Sequence, residues 1–431
     1  MNHKSRIALL VILVSASIAW PRSPHRPGTP LPIGTGTSRA GLDETIAAGR
    51  ARLASDPSDA PAGVALAGAL LRKARVASDA RCAIEAEHVL RAVLKRVPGE
   101  YGALGLLGAV YLSQHRFRDA IDVATRAQAV RPSDAWHDGV LGDAYLELGE
   151  YDRAFDAFDA MVHRRPDAAS YARVAYALEL RRRLPAALVE MRRAAEATGA
   201  GDPESLAWHY AQLGNLHFQM GDLDSAEREY RYGNYVFPGH PYARVGLARI
   251  AAARGDLATA LGRYRELFDE APTPELAAAI GDLLNAQGER AAAMSMYERA
   301  EVLERDGWKS EEPQPAALAR LLAERGLKRE EAVRLAMQAA SSRADIATMD
   351  ALAWACFQAG RLQEAKAASE RARRTGTADR RILYHAAAIE HALGNDHDAR
   401  RLLSRALDGN PRFDLIAAPA ALALARELGA S

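Results

Sequence analysis

Ten alanines spaced about one unit apart organise the chain: Ala86, Ala120, Ala154, Ala187, Ala226, Ala260, Ala293, Ala332, Ala365 and Ala399. The intervals are 34, 34, 33, 39, 34, 33, 39, 33 and 34 residues. A fixed period near 34 marks helix–turn–helix units stacked side by side, and it constrains the fold before any side-chain chemistry is weighed. Such a scaffold offers surfaces for binding, and its sequence says more about where than about what.

Local physics accounts for the pattern. Leu104, Leu107 and Tyr111 fall three to four residues apart and so share one face of a helix. Gly108 costs about 1 kcal/mol of helix propensity relative to Ala, which calls for a packing reason. Close approach supplies one: Gly108 and Ala120 let two antiparallel helices touch. Gly149-Glu150 and Gly221-Asp222 mark short turns, and Pro132, Pro166, Pro238 and Pro272 stop the second helix of their units. One pair cannot bury its apolar stripe alone, so neighbours must stack. Aromatic residues are only 6% of the chain against 49% hydrophobic, which suits thin helix–helix layers.

The back-to-back copies carry Leu104, Leu107, Gly108, Tyr111, Ala120, Ala127 and Pro132, then Asp138, Leu141, Gly142, Tyr145, Ala154, Phe158, Met161 and Pro166. A third has Tyr210, Leu213, Gly214, Ala226, Tyr230, Gly233 and Pro238. The segments LGDAYLELGEYDRAFDAFD and LGNLHFQMGDLDSAEREY resemble the tetratricopeptide repeat family, and the resemblance runs from about residue 60 to 411. The unit centred on Arg320 lacks the hallmark residues, and Tyr176 and Glu179 stand near the usual Gly and Tyr. The expected fold is all-α, an α-solenoid forming a right-handed superhelix of about ten stacked units.

The two 39-residue intervals fall at Thr198–Glu204 (TGAGDPE) and Arg305–Pro315 (RDGWKSEEPQP), both rich in Gly, Pro and charge. Read as lengthened connections, they divide the array at residues 57–198, 199–305 and 306–411. A capping helix is expected at 41–56, and another within 412–431, where Pro419–Leu428 has a helical pattern. Caps cover the stacking face of an end repeat.

The first forty residues differ in kind. Lys4 and Arg6 precede an apolar run from Ile7, and Ser17-Ile18-Ala19 offers small residues at its exit. This reads as a secretory signal peptide over residues 1–20 or as an uncleaved anchor; the run is short for a ~30 Å hydrocarbon core. Residues 21–40, rich in Pro, Gly, Ser and Thr, read as an extended linker. The expected location is therefore periplasmic, or membrane-tethered and facing outward.

Charge is balanced, with Lys+Arg 56 against Asp+Glu 55, and no basic stripe points to nucleic acid. The run Arg181-Arg182-Arg183 reads as a solvated helix end. Cys82 and Cys356 lie in distant units, so no bridge within the chain is expected, and Cys356 reads as a small buried residue. There is no HExxH, CxxC, phosphate-binding loop or EF-hand loop. His385 and His391, and His209 and His217, have spacings that do not suit one metal ion, and they read as surface or groove histidines. No cofactor, metal or catalytic residue is expected, and the chain reads as non-enzymatic.

The resemblance implies that the first helix of each unit lines a concave groove. Carried over position by position, that face comprises Trp136, Asp143 and Glu147, then Arg173, Tyr176 and Glu179. Trp208, Gln212, Asn215, Phe218 and Gln219 follow, then Tyr242 and Arg249, then Asp282 and Asn285, after which the face is expected to become small or apolar. Aromatic residues and Arg dominate binding hot spots; packing on the preceding unit is the alternative for Trp136 and Trp208. No lysine stands at a groove position, which argues against the carboxylate-clamp ligands of some family members, although Arg can serve bidentately. The expected function is a scaffold holding a protein or peptide partner in the groove. The alternatives are a self-associating subunit of an envelope or secretion complex that uses outer faces or ends, and a regulatory partner of a separate enzyme.

Overall fold

The computed structural model describes residues 39–77, 80–199, 201–307 and 315–429. The expected signal segment at 1–20, and the expected linker up to residue 38, lie outside the described residues, as does 308–314 of the second long interval. Among the described residues every regular element is a helix, and none is long and apolar enough to cross a membrane.

Helix α1 (Arg39–Ser55) precedes ten helix pairs. The first five join α2 (Ala60–Ala77) to α3 (Ala80–Arg96), α4 (Tyr101–Ser113) to α5 (Phe117–Val130), α6 (Trp136–Glu147) to α7 (Tyr151–Arg164), α8 (Ala168–Leu180) to α9 (Leu184–Glu196), and α10 (Pro203–Met220) to α11 (Leu223–Val236). The next five join α12 (Pro241–Ala253) to α13 (Leu257–Glu270), α14 (Pro274–Ala286) to α15 (Arg290–Gly307), α16 (Pro315–Glu324) to α17 (Arg329–Ser342), α18 (Ile346–Gln358) to α19 (Leu362–Ala372), and α20 (Arg380–Ala392) to α21 (Asp396–Leu407). Helix α22 (Ala417–Glu427) follows. This is the expected all-α repeat solenoid. All ten periodic alanines sit in second helices, and each is at most 1% exposed.

The turns follow from short sequence signals. Gly221 ends α10 with φ +84, a conformation Gly adopts without steric cost, and Asp222 caps α11 by accepting from Ser225 N. Gly255 and Asp256 repeat the device before α13. The first long interval, and the start of the second, are helical where loops were expected. The first adds a turn to α10, which has 18 residues where α8 and α12 have 13, with Asp202 capping it through Ser205 N. The second extends α15 to 18 residues, against 14 in α13. At α10, helix absorbs the extra residues because it satisfies their backbone groups internally.

Contacts divide the chain into two compact units. The first holds the residues up to Leu146 together with Asp152–Ala169; the second holds Glu147–Tyr151 and everything from Ser170 onward. In the first, a Cβ at Gly108 would lie 3.1 Å from Val140, 3.2 Å from the Trp136 ring and 3.5 Å from Val123. The tightest approach is thus to the next pair rather than to α5, the helix expected. In the second, Tyr230 is fully buried between Gly214 of its own pair and Gly246 of the next, and a Cβ at either would overlap the ring.

Candidate functional site

The first helices of the second unit face an interior crowded with charge. Arg381 Nη1 on α20 lies 2.9 Å from Glu324 Oε1 on α16, and Arg325 pairs with Asp282 of α14 at 2.7 Å. Burial pushes Glu324 up, but Arg381, Arg320 and Arg325 outweigh it and hold the carboxyl at about 2. On α18, Asp350 takes both oxygens to 3.1 Å from His385 Nδ1, and the His385 ring stacks on Trp354 at 4.0 Å. The face was expected to become small or apolar after Asn285. Instead Glu324, Asp350, Arg381 and His385 continue it; extending the same repeat positions would have located Arg381, near the start of its helix.

The interior exists because the second unit closes on itself. Arg343 pairs with Glu147 at 2.5 Å, and Tyr151 Oη accepts from Ile346 N at 2.7 Å. Arg374 covers the Tyr151 ring at 4.9 Å. Two turns on, Arg380 donates to Gln219 O at 2.8 Å and to Ala406 O at 3.1 Å, while Asn410 Nδ2 donates to Phe218 O at 3.1 Å. Gly221 and Gly409 bring their backbones together there. Leu415 then packs against the core of α12, α13 and α14. Apart from Arg380 and Ala406, the bonded and stacked partners are about 160 to 220 residues apart in sequence, where no local pattern points from one to the other.

The sequence-predicted residues divide between the units. In the first, Trp136 is half-buried with its ring against Gly105 and Gly108, the packing role that stood as its alternative. Asp143 is half-buried on α6. In the second, Glu147 belongs to the closure, and Arg173 is buried. Burial raises the Tyr176 hydroxyl well above its usual range. Glu179 is pushed by burial up to about 6, although it accepts from Gln219 Nε2 at 2.6 Å.

Trp208, Gln212, Asn215, Tyr242 and Arg249 lie on α10 and α12, all half-buried. Asn215 donates to Gln212 Oε1 at 3.2 Å, while its own Oδ1 accepts from Tyr230 Oη at 2.8 Å and from Arg249 Nη1 at 3.1 Å. The Arg249 guanidinium lies 4.3 Å from the Phe218 ring centroid. Among the described residues Arg249 has no carboxylate partner. It is a cation held in place by an amide and a ring, with N–H donors left over.

One histidine corrects the expectation of surface or groove positions. His209 is buried, 3.0 Å from Thr198 Oγ1, and burial pushes it down to about 4. His385 is also buried, but on the inner face, paired with Asp350. Cys82 and Cys356 are buried, and burial raises the Cys356 thiol to about 11. No group of three or more His, Cys, Asp or Glu side chains among the described residues is placed to hold a metal ion.

A family model described as tetratricopeptide repeat matches residues 71–135, 140–203 and 211–274. Over these residues the chain is built of tetratricopeptide repeats. No curated protein matches its sequence. Among solved structures, the human IFIT1 dimer with m7Gppp-AAAA is similar at 14% identity and TM-score 0.51, covering 78% of this chain and 77% of that one. A tetratricopeptide repeat protein from Parabacteroides merdae matches at 20% identity and TM-score 0.42, over 55% of this chain and 93% of its own. A chain of the APC/C hetero-tetramer Cut9–Hcn1 matches at 15% and 0.41, over 83% of this chain. This tetratricopeptide repeat chain spans just over half, 55%, of that relative's length. At these identities the likeness is one of fold. Tetratricopeptide repeat arrays serve as protein–protein interaction scaffolds, as a rule without catalysis, and this chain is such an array.

Proposed function

We propose that this protein is a non-catalytic scaffold that holds an extended segment of a partner protein on the first helices of its second unit, outside the cytoplasmic membrane of a bacterium. The observation that carries the reading is Arg249, fixed by Asn215 and Phe218 and left without a carboxylate. A pre-positioned guanidinium suits a partner's acidic side chain, terminal carboxylate or backbone carbonyls. Trp208 and Tyr242 stand on the same two helices and add aromatic area, the composition of a binding hot spot. The charged start and short apolar run at residues 4–19 support export or tethering, and N-terminal sequencing of protein recovered from the exported fraction tests that part.

Binding is tested by alanine substitution. Arg249→Ala and Trp208→Ala should each weaken a captured partner by about 2 kcal/mol, roughly thirtyfold. Changes on second helices, such as Arg153→Ala and Arg263→Ala, should leave affinity within about twofold. The opposite ranking would refute the groove reading.

A second reading has its own observation. Tyr232 and Tyr235 on α11 are 46% and 79% exposed, and Tyr210 stacks beside them at 4.4 Å. Exposed aromatic area on an outer helix favours assembly with another surface. Loss of self-association on Tyr235→Ala, with binding unchanged by Arg249→Ala, would favour that reading.

A further inference from the structure

Helix α11 presents a single stripe to solvent. Its exposed residues are Asp224, Arg228, Arg231, Tyr232 and Tyr235, three to four positions apart, and they span an arc of about 100° around the axis. The opposite side, with Ser225, Ala226, Tyr230 and Gly233, is buried in the unit. Tyr232 and Tyr235 therefore do no core packing. Their rings continue that of Tyr210 in series, with centroids 4.4 Å and 6.1 Å apart, so the aromatic surface is unbroken and ends in the exposed Tyr235.

The order of residues within the stripe is self-complementary. It reads Arg228, two residues, Arg231-Tyr232, two residues, Tyr235. Reversal about the midpoint between 231 and 232 places each arginine position on a tyrosine position and each tyrosine on an arginine. The helical phases agree as well. Positions 228 and 235 lie within about 20° of each other around the axis, so two antiparallel copies bring them face to face, once at each end. Tyr232 then lies beside its own counterpart at the twofold axis.

Charge fits the same arrangement. Arg231 would meet its counterpart near the axis, but it is already neutralised by Glu227 of its own helix at 2.5 Å. Arg228 is not: its Nη2 donates to Ser225 Oγ at 2.7 Å, and no carboxylate lies within ion-pair distance of it among the described residues. An exposed guanidinium without a carboxylate and an exposed phenol ring are the two halves of a cation–π pair.

We propose that the protein forms a twofold dimer through α11, with Arg228 of each copy over Tyr235 of the other and the two Tyr232 rings meeting at the axis. This rests on the second reading of the α11 surface and gives it an occupant and a register; the groove beside Arg249 plays no part in it. An isologous contact makes every pair twice. One helix per copy is a small interface, so the dimer is reversible and grows with concentration.

The test uses the full chain, followed by sedimentation velocity over a wide range of concentration. Tyr235→Ala and Arg228→Glu should each weaken the dimer about tenfold or more, since each change removes two contacts at once. Arg228→Lys should weaken it less, because an ammonium still binds a ring face. Arg334→Gln, exposed on α17, should dimerise like the parent. Register is read by mixing two separate variants, Arg228→Cys and Tyr235→Cys, under mild oxidation. The mixture should give a disulfide-linked dimer that neither variant gives alone, because the two 228 positions lie more than about 10 Å apart, beyond the reach of a bridge. The mixed dimer keeps one native Arg228–Tyr235 pair. A monomer at every concentration overturns both the assembly reading and this dimer. Self-association that is lost in Tyr235→Ala, but in which either cysteine variant links to itself as readily as in the mixture, keeps the assembly reading and overturns the antiparallel register.

Discussion

At the scale of single residues, the buried carboxyls give the clearest handle. Burial, with Glu275 nearby, pushes Glu304 up to about 7 against the partial relief of Arg320. A carboxyl raised in the folded state contributes stability below its unfolded pKa near 4.5 and loses it as pH rises through 7. Glu304→Gln should therefore raise stability at pH 8 by about 2 kcal/mol relative to the parent, with the gain disappearing at pH 5. Equal shifts at both pH values in thermal melts would contradict this. The periodic alanines are the other residue-scale feature. Ala226 is fully buried in α11, and Ala226→Arg should cost about 1–3 kcal/mol from overpacking, with more from the buried charge. An unchanged Tm would mean the packing register is wrong. These positions were legible in the sequence because a small residue at a fixed interval is a repeated local requirement.

At the scale of elements, the helix pairs and their turns could be read from Gly-Asp signals and trailing prolines, since each depends on a few adjacent residues. The contents of the two long intervals could not. TGAGDPE has the composition of a loop, yet its Pro203 and Glu204 start α10 beneath the Asp202 cap. A proline at a first helical position is compatible with helix, and tertiary packing decides between the two. The turns also separate strain from closure. Gly221 and Gly288 both have positive φ, but a Cβ at Gly221 would overlap the Gly409 carbonyl while one at Gly288 would meet nothing within 4 Å. Gly288→Ala should cost about 1–2 kcal/mol from conformation alone. Gly221→Ala should cost clearly more, and similar losses in denaturant unfolding would argue that the closure contributes nothing.

At the scale of the molecule, no period in the sequence signals the closed second unit, because its bonds join residues far apart in the chain. Arg249, Asn215 and Trp208 were identified by repeat position, whereas the Arg249–Asn215–Tyr230 bonding depends on which neighbours reach each group. Arg343, Arg380 and Asn410 had no signal, because their partners lie about two hundred residues away and obey no period. The central claim is that partners are held inside, beside Arg249, rather than outside on α11. Photo-crosslinking in cells tests it most directly, with a benzophenone amino acid placed at Tyr242 in one variant and at Tyr235 in another. An adduct with a different protein is expected from position 242, reduced about tenfold or more when Arg249→Ala is added. Adducts confined to position 235, or an adduct at 242 indifferent to Arg249→Ala, would contradict it.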